Sequence, residues 1–579
     1  MIFKKRGVES TIEEVALRNL GVTSVEEIND WFRKSYAGDY RIDGIDRAID
    51  ILETGKWDRI QIVGDYDIDG TTATAIMRLG LEACGHKVYD RIPHRFSEGF
   101  GLNPTIVSEI PDGKTLLITV DNGVAALEAV KLAKSRGFTV IVTDHHLPVT
   151  DEDGNPVLPE ADCIINPNAV EGQADFNGYC GAGIAFRLVR RLIERRNRLE
   201  TDESKAKNLT ALKAILEPLA MMGTIGDVME LREENYVIAR NGLKKLEKRC
   251  ATAGMLALHD KLWVSHPVAQ DIGYKSGPCI NANGRLLDDG AAKSVDLLAS
   301  TDYTAALLLA QEAVDNNNRR KQQVDAGMKL AEMQIKTNGM ENDLPLVLYL
   351  PGTNEGIVGI IAGRLREKYG TVAIVLTDAE EKGMLKGSGR SIDAVNLKAL
   401  LDEAAEYLEK YGGHEGAAGL SLKKENFKAF RELLISKAEG FEKEVKTEMY
   451  YDLEIEADKV PEALEETLRF GPFGQGNEPI VFKISNFKLI PGNDGKLKNY
   501  VGTSGVKLAS ESCQAIGFGL AERMRETKAT TFTLYGTLSY NYFKGDAIPQ
   551  IEFSEFEEEV SEKEETPLMK ALRAKAAGI

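Results

Sequence analysis

Four short apolar runs between residues 59 and 167 each end directly in a polar cluster. The runs cover residues 60–63, 116–120, 140–143 and 163–165. Stretches with helical patterning lie between them, at residues 71–83, 104–110 and 125–135. Such alternation is typical of an α/β unit with a mostly parallel sheet. Because ligands bind outside the carboxyl ends of parallel strands, we expect the clusters to meet at one site.

The clusters are rich in carboxylates and also contain imidazoles. They contribute Asp65, Asp67, Asp69, Asp121, Asp144, His145 and His146. Carboxylates so close together raise one another's pKa, and a divalent cation removes that penalty. Oxygen and imidazole ligands without thiolate suit manganese or magnesium better than structural zinc. Two such ions, roughly 3.5–4 Å apart, are typical of phosphoryl-transfer enzymes, which is the chemistry that these residues predict.

Each cluster taken alone has a simpler interpretation. The alternating aspartates resemble part of a calcium loop, but the twelfth position counted from Asp65 is Ile76 instead of an acid. An Asp-Asn-Gly sequence is usually a turn, and a His-His pair more often lies on a surface or in a satisfied core. Only their joint placement after successive strands argues for a metal site.

The remaining chain is predicted to be built from several further parts. Residues 1–56 form an N-terminal helical segment, 57–300 the catalytic α/β domain, 301–340 a connecting helix, 341–445 a second α/β domain, 446–556 a β-rich domain and 557–579 an acidic linker with a short basic terminal helix. About five short strands in the fifth part suit a small barrel such as an OB-fold. The predicted fold class is therefore α/β, with two α/β domains and a C-terminal β-barrel.

Charge and composition limit the classes of partner. The net charge of −18 gives no support for a nucleic-acid substrate, so binding would need a local basic groove. Bound cations would offset part of the acidity, and residues 552–565 alone hold eight glutamates and one lysine. No apolar run approaches the ~20 residues that span a bilayer, and no signal peptide is evident. Six cysteines without a Cys-x-x-Cys pair indicate reduced thiols and a cytoplasmic location.

Four segments resemble, in order, motifs I to IV of the DHH phosphoesterase superfamily. They are residues 65–70, 121–123, 144–146 and 226–229. Four more segments resemble the RecJ branch of that superfamily: residues 92–102, 281–286, 412–419 and 472–479. The resemblance covers roughly 50–560. It implies a DHH domain, a DHH-associated domain and an OB-fold. It also implies a 5′-to-3′ exonuclease on single-stranded DNA that uses two manganese or magnesium ions.

The resemblance also implies roles for individual residues. The metal ligands would be Asp67, Asp69, Asp121, His145 and Asp227, with Asp69 as the bridge. The residues near the chemistry would be Asp65, Asp144 and His146, with His146 facing the phosphate and Asp144 orienting a histidine. The DNA contacts would be Arg95, Ser388 and Arg390 at the 5′ phosphate, and Arg285 and His414 near the cut.

Three segments keep a second interpretation beside the one that the resemblance implies. Asn318, Arg319 and Arg320 on a predicted helix form either a solvated face or a contact with the DNA backbone. Residues 388–391 would ordinarily be a turn, and the glycines of 412–419 a tight turn into a helix. Sequence alone does not decide among these.

Two rival functions share the same fold. A small-substrate phosphodiesterase of oligoribonucleotides or cyclic dinucleotides would use the same chemistry, although such enzymes are usually shorter and lack the OB-fold. A non-catalytic scaffold would bind DNA without cutting, although such relatives have typically lost metal ligands. The resemblance further implies action as a monomer in DNA repair and recombination, beside single-strand binding protein and a helicase.

Overall fold

The structure is a computed structural model that describes residues 2–95, 97–438, 441–443, 448–491, 499–502, 505–543 and 545–559. The predicted terminal helix lies outside the described residues. The N-terminal segment contains β1 (Ile2–Lys5), α1 (Ile12–Leu20), α2 (Val25–Ala37) and α3 (Ile45–Thr54). Strand β1 differs from the helical expectation, because it pairs with a strand at the start of the C-terminal domain.

The first α/β domain is built around a five-stranded sheet. Its elements are β2 (Arg59–Val63), α4 (Ile68–Ala83), β3 (Val88–Arg91), α5 (Pro104–Glu109), β4 (Thr115–Val120), α6 (Leu127–Ser135), β5 (Thr139–Thr143), the hairpin β6 (Val149–Thr150) and β7 (Pro156–Val157), and β8 (Cys163–Ile165). The sheet order is β3-β2-β4-β5-β8, and every pairing in it is parallel. The β4 side chains are all buried, as expected for a sheet covered on both faces.

A helical part follows and ends in the connecting helix. It comprises α7 (Gly181–Leu199), α8 (Glu203–Gly226), α9 (Glu233–Glu247), α10 (Ala253–Lys261), α11 (Ala269–Asp271), a π-turn (Ile272–Ser276), α12 (Gly277–Leu286), α13 (Gly290–Leu298) and α14 (Tyr303–Asn338). Helix α8 is long and apolar enough to cross a membrane by length and composition. It packs against α4, α7 and α9, however, and core helices of soluble proteins pass the same test.

The second α/β domain has a mixed five-stranded sheet of order β12-β13-β11-β10-β9. Its elements are β9 (Leu346–Tyr349), α15 (Val358–Tyr369), β10 (Ala373–Asp378), β11 (Met384–Arg390), α16 (Leu397–Asp402), β12 (Leu408–Gly413), β13 (Ala417–Lys423) and α17 (Phe427–Lys437). Only β9 and β10 pair in parallel, and the other pairs are antiparallel.

Two glycine-rich segments of this domain do not form the structures that they suggest. Residues 388–390 lie inside β11 instead of a turn, and residues 412–419 form the β12–β13 hairpin instead of a turn into a helix. Gly387 is confined because a Cβ there would lie 2.6 Å from the Val375 carbonyl oxygen. A Cβ at Gly389 would lie 2.8 Å from the Leu397 side chain. Close packing, and not turn geometry, selects glycine at both positions.

The C-terminal domain contains a seven-stranded sheet of order β15-β16-β20-β21-β19-β18-β17. Its elements are β14 (Glu448–Tyr451), β15 (Leu453–Glu456), α18 (Val460–Leu468), β16 (Phe482–Lys488), β17 (Asn499–Val501), β18 (Gly505–Ala509), β19 (Gln514–Phe518), α19 (Ala521–Glu526), β20 (Thr531–Phe543) and β21 (Asp546–Glu558). The predicted run at 449–455 is split at buried Asp452, since β14 pairs with β1 outside this sheet.

The fold class is confirmed: two α/β domains are joined by a long helix and followed by a β domain. One apolar core lies under the first sheet and its helices, and a second joins the N-terminal helices to the β domain. The predicted domain boundaries stay predictions. The six cysteines are all free.

Candidate active site

The β2–α4 connection carries the three alternating aspartates. Asp67 caps α4, and its side chain accepts hydrogen bonds from the backbone N–H groups of Asp69 (2.9 Å) and Gly70 (3.0 Å). Asp69 lies in the first turn of α4 and is buried. This connection therefore directs two carboxylates to the carboxyl edge of the sheet and fixes them through the start of one helix.

The start of helix α7 holds Asp69. The N–H groups of Gly181 and Ala182 donate to its two carboxylate oxygens at 2.6 Å and 2.8 Å. A helix N-terminus carries a partial positive charge, so it stabilises this buried anion. A Cβ at Gly181 would lie 2.4 Å from the Cβ of Asp121, which explains the glycine.

Asp121 follows β4 in the left-handed backbone region, with φ of 62°. Its backbone N–H donates to the Thr143 carbonyl at 3.0 Å, which ties the end of β4 to the end of β5. The strained conformation turns the carboxylate of Asp121 toward the neighbouring strand ends, and its side chain is buried.

His145 connects the carboxylates of three segments. Its Nε2 lies 3.2 Å from an Asp121 oxygen, 3.6 Å from an Asp227 oxygen and 3.8 Å from an Asp69 oxygen. Asp227 is the C-cap of α8, so it comes from a helix end and not from a strand. Burial lowers the pKa of His145, which favours the neutral imidazole that binds metals.

Asp144 holds His146. One of its oxygens accepts a hydrogen bond from the His146 backbone N–H (3.1 Å) and lies 2.8 Å from His146 Nδ1, while the other accepts from the Val124 N–H (2.9 Å). The hydrogen bond with Asp144 raises the pKa of His146 to about 9. Burial raises the pKa of Asp144, but the hydrogen bond and charge of His146 together with the backbone hydrogen bonds outweigh it, so the pKa is lowered. The pair is thus an aspartate and an oriented imidazolium.

The environment of the remaining acids disfavours their charged forms and so raises their pKa values. Burial and then Asp67 raise the pKa of Asp65 to about 7. Burial followed by Asp69 raises the pKa of Asp227 to about 8, and the pKa of Asp121 is raised by the same causes. One oxygen each of Asp65 and Asp121 is buried without a hydrogen-bond partner among the described residues. Unpaired buried carboxylate oxygens are what divalent cations satisfy.

The ligand atoms fall into neighbouring groups that fit metal ions. Asp69, His145 and Asp227 form one group, and Asp65, Asp67 and Asp121 form another, with ligand atoms within 4.8 Å of one another in each group. Because these two groups share no residue, they suit two adjacent ions. A third group overlaps them and combines Asp121 with both histidines.

A cationic pocket spans the two α/β domains. The Arg95 guanidinium lies 4.4 Å from the centre of the Tyr66 ring, beside the aspartates. Burial and then Arg95 lower the pKa of Arg285 to about 10. Burial also lowers the pKa of Arg390, which Tyr66 partly offsets across the domain interface. None of these three arginines forms an ion pair with a carboxylate among the described residues. Half-buried arginines without a carboxylate partner favour an anionic ligand.

Ser388 and the start of α15 complete this pocket. Arg390 Nη1 donates to Ser388 Oγ at 2.8 Å. A Cβ at Gly359, in the first turn of α15, would lie 3.1 Å from Ser388 Oγ and 3.2 Å from Arg390 Nη2. The glycine therefore lets a helix N-terminus approach the arginine, which suits a phosphate group.

Three family models match the chain. The DHH family N-terminal domain matches residues 59–221, the DHHA1 domain 345–440 and the RecJ OB domain 451–555. The single-stranded-DNA-specific exonuclease RecJ of Haemophilus influenzae is 32% identical over 446 residues, which cover 74% of this chain and 75% of that protein.

The chain belongs to the RecJ family.

Solved RecJ structures agree with this placement. A crystal structure of exonuclease RecJ bound to manganese is 30% identical to this chain, with a TM-score of 0.58. The match covers 70% of this chain and 97% of the RecJ chain in that structure. RecJ of Thermus thermophilus in complex with Mn²⁺ is 24% identical and covers 90% of this chain and 72% of its own, with a TM-score of 0.70. The latter shows the shared fold. The family models and the Haemophilus influenzae relative confirm the predicted family and the OB-fold.

The other predicted contact residues are not members of the metal-ligand groups. His414 is exposed at the β12–β13 turn, where its Nδ1 accepts from the Gly416 N–H at 3.2 Å. Asn318 and Arg319 are exposed on α14, whereas Arg320 is half-buried. Burial and then Arg364 lower the pKa of Arg320. The structure leaves the roles of all four as predictions for this RecJ-family chain.

Sequence reasoning missed the contributors that act through backbone groups. Gly181, Ala182 and Gly359 carry no side-chain chemistry, and their roles arise from helix starts that pack on the site. The Gly-Ala-Gly sequence at 181–183 is a weak signal for a closely packed helix start. No periodicity would connect it with Asp69, which lies 112 residues earlier.

Proposed function

We propose that this chain hydrolyses single-stranded DNA from the 5′ end and releases 5′ mononucleotides, using two manganese or magnesium ions. The observation that carries the proposal is the convergence of carboxylates and imidazoles from four chain segments. They lie beside arginines that have no carboxylate partner among the described residues. The names of the RecJ relatives support the same substrate and reaction class. The reaction serves DNA repair and recombination.

The metal ligands in this proposal are Asp67, Asp69, Asp121, His145 and Asp227. When bound, the two cations would lower the pKa of the attacking water and stabilise charge on the phosphate oxygens. Asp69 is the proposed bridge, because its charge acts on Asp67 and Asp121 of one group and on Asp227 of the other. Two backbone N–H groups fix its carboxylate. Asp65 supplies a further carboxylate beside Asp67 and Asp121.

His146 is the proposed contact of the scissile phosphate. Its side chain is 57% exposed, so it remains accessible to DNA although Asp144 holds its Nδ1. As an imidazolium it stabilises negative charge on the phosphate or donates a proton to the departing 3′ oxygen. Asp144 keeps the ring oriented and favours its charged form.

The arginine pocket sets the register of cleavage. Arg95, Ser388 and Arg390 bind the 5′ phosphate, which places the first phosphodiester over the metal ligands. Arg285 and His414 hold the backbone near the cut. The proposed contacts of the downstream strand are Asn318, Arg319 and Arg320. A terminal phosphate held this way explains why cleavage would begin at one end.

End-labelled DNA tests the proposal. Long single-stranded DNA, labelled at either the 5′ or the 3′ end, is incubated with Mn²⁺ and the purified full chain. We expect early release of labelled mononucleotide from the 5′ label and none from the 3′ label. Asp227→Asn should abolish it, and Asp112→Asn should not, since Asp112 is 93% exposed beyond the opposite edge of the sheet.

Other outcomes would redirect the proposal. Early release from the 3′ label would contradict the polarity and the 5′-phosphate pocket. Intact long DNA with cleaved dinucleotides would indicate the small-substrate phosphodiesterase. Survival of both substrates would indicate a scaffold.

We further propose that the chain acts in the cytoplasm as a monomer, beside single-strand binding protein and a helicase. The reduced cysteines and the family support this setting. Sedimentation of the purified chain and co-purification from cell extract test the two statements separately, and a stable dimer or the absence of both partners would contradict them.

A further inference from the structure

The loop that follows Asp227 is held on one side by its own helix. The backbone N–H of Asp227 donates to the Gly223 carbonyl at 2.8 Å, and that of Met229 donates to the Thr224 carbonyl at 3.1 Å. Val228 adopts a left-handed conformation with φ of 58°. This conformation ends α8 sharply and turns the chain out of the helix, while Leu231 stays in the core of the first α/β domain.

The other side of this loop is held by the OB domain. Leu231 donates its backbone N–H to the Gln475 carbonyl at 2.7 Å. Arg232 donates its Nε–H to the Gly476 carbonyl at 3.0 Å. Residues 474–477 are here called the OB turn. They belong to segment 472–479, whose resemblance to the RecJ branch implies no role for it. The turn lies about 250 residues after Asp227 in the chain, yet it meets the loop directly.

The OB turn is built to keep one shape. Gly474 and Asn477 exchange backbone hydrogen bonds at 3.0 Å and 3.1 Å. Asn477 is fully buried, and its Nδ2 donates to the carbonyls of Phe470 (3.0 Å) and Pro472 (2.7 Å). A buried amide that satisfies two carbonyls rigidifies a turn.

The contact between turn and loop is also tight. Gly476 has φ of 73°, and a Cβ there would lie 3.0 Å from the Cβ of Glu230. A Cβ at Gly474 would lie 3.0 Å from Leu231 Cδ1. On the loop side, the Glu230 carbonyl accepts from Asn235 Nδ2 at 3.1 Å. Glycine at both turn positions therefore permits the approach that the hydrogen bonds require.

We infer that the OB turn is a positioning element for Asp227: it clamps the loop behind this carboxylate and so pre-organises one metal position. The OB domain thereby contributes to ion binding in addition to any contact with DNA. Pre-organised ligands bind metals more tightly because less freedom is lost on binding. The inference rests on the proposed function, in which Asp227 is a metal ligand.

Direct Mn²⁺ binding to the full chain tests this clamp, measured by calorimetry in the absence of DNA. Gly476→Ala adds a Cβ against Glu230 in a left-handed turn. Gly519→Ala is the matched control, because Gly519 lies in the same domain with φ of 75° and nothing lies within 4 Å of its added Cβ. We expect Gly476→Ala to weaken one Mn²⁺ site about ten-fold, as changes behind metal ligands do, and Gly519→Ala to leave both sites as in the wild type.

A double-mutant cycle with Asp227→Asn separates the clamp from a general effect on folding. In the Asp227→Asn background, Gly476→Ala should cause no further loss of Mn²⁺ affinity, since the ligand that it positions is gone. Equal affinities of Gly476→Ala and Gly519→Ala would overturn the clamp, as would a ten-fold loss that persists without Asp227. Wild-type affinity in Asp227→Asn itself would overturn the metal role of Asp227, and the clamp with it.

A second variant tests the clamp even if Gly476→Ala fails to fold. Arg232→Met removes the hydrogen bond to the Gly476 carbonyl but adds no atom to the turn. Its side chain is 40% exposed, so the apolar replacement is tolerable. The same selective loss of one Mn²⁺ site is expected, and unchanged affinity would count against the clamp.

Discussion

Replacing Asp227 with asparagine should stabilise the metal-free protein at pH 8, and by clearly less at pH 5. Burial, followed by the charge of Asp69, raises the pKa of Asp227 from 3.8 to about 8. At pH 5 the carboxyl group is therefore protonated in the fold but mostly ionised in the unfolded chain, so only the first part of the cost is present. At pH 8 about half of the folded molecules carry the charge, which the amide avoids.

The direction of this change in stability with pH follows from proton linkage. A carboxyl group whose pKa is raised by folding binds more protons in the folded than in the unfolded state between pH ~4 and ~8, so stability falls as pH rises through that window. A rise of one in a pKa corresponds to about 1.4 kcal/mol, so the whole rise in the pKa of Asp227 would cost about 6 kcal/mol at most. Since the side chain is 29% exposed and shares its charge field with Asp69, we expect about 1–3 kcal/mol at pH 8.

Thermal unfolding in EDTA at pH 5 and pH 8 measures this difference. For a domain of 150–250 residues, 1 kcal/mol shifts the midpoint by about 2–4 °C. Asp112→Asn, beyond the opposite edge of the sheet, is the control and should shift neither midpoint. Added Mn²⁺ should stabilise the wild type more than Asp227→Asn. Equal midpoints at pH 8, or equal gains from Mn²⁺, would refute the reasoning.

Three further changes test the arginine pocket, the start of α7 and a buried hydrogen bond just before α7. Arg390→Met should raise KM about 10–100-fold for DNA with a 5′ phosphate, because one charged hydrogen-bonding group is lost, but should leave KM unchanged for DNA with a 5′ hydroxyl. Steady-state kinetics measures both values, and an equal rise in KM for the two substrates would exclude the pocket. Tyr179→Phe removes the hydroxyl that donates to buried Glu234 and should cost about 1–3 kcal/mol in urea unfolding, so an unchanged midpoint would show that the bond contributes nothing. Gly181→Ala forces a Cβ against Asp121 and should cost about 1–3 kcal/mol with weaker Mn²⁺ binding; wild-type calorimetry would contradict this packing argument.

The first α/β domain was the most predictable part of the chain, because its signals are local. Each apolar run is long enough to be a buried strand, and each acid cluster follows at once. The parallel-sheet rule then brings Asp69, Asp121 and His145 together without any knowledge of distances. Asp227 lacks such a signal, since it caps a helix, and only the family resemblance pointed to it.

The second α/β domain and the site's backbone donors were less predictable for a common reason. Glycine marks turns in sequence, but at Gly387 and Gly389 it marks strands that other chain segments approach closely. The N–H groups of Gly181 and Ala182 likewise gain their role only from where α7 begins in space. In each case tertiary packing determines the role of the residue. Packing between distant segments produces no periodic pattern in a single sequence.

The net charge of −18 and a polyanionic substrate are compatible because the charges lie in different places. The proposed ligand carboxylates Asp69 and Asp121 are buried, where two divalent cations would reverse the sign of the local field. Arg95, Arg285 and Arg390 gather beside them and take no carboxylate partner among the described residues. A site of this design is negative without metal and positive with it. In the proposed function, binding of the 5′ phosphate should then depend on prior binding of the cations, although the chain as a whole stays acidic.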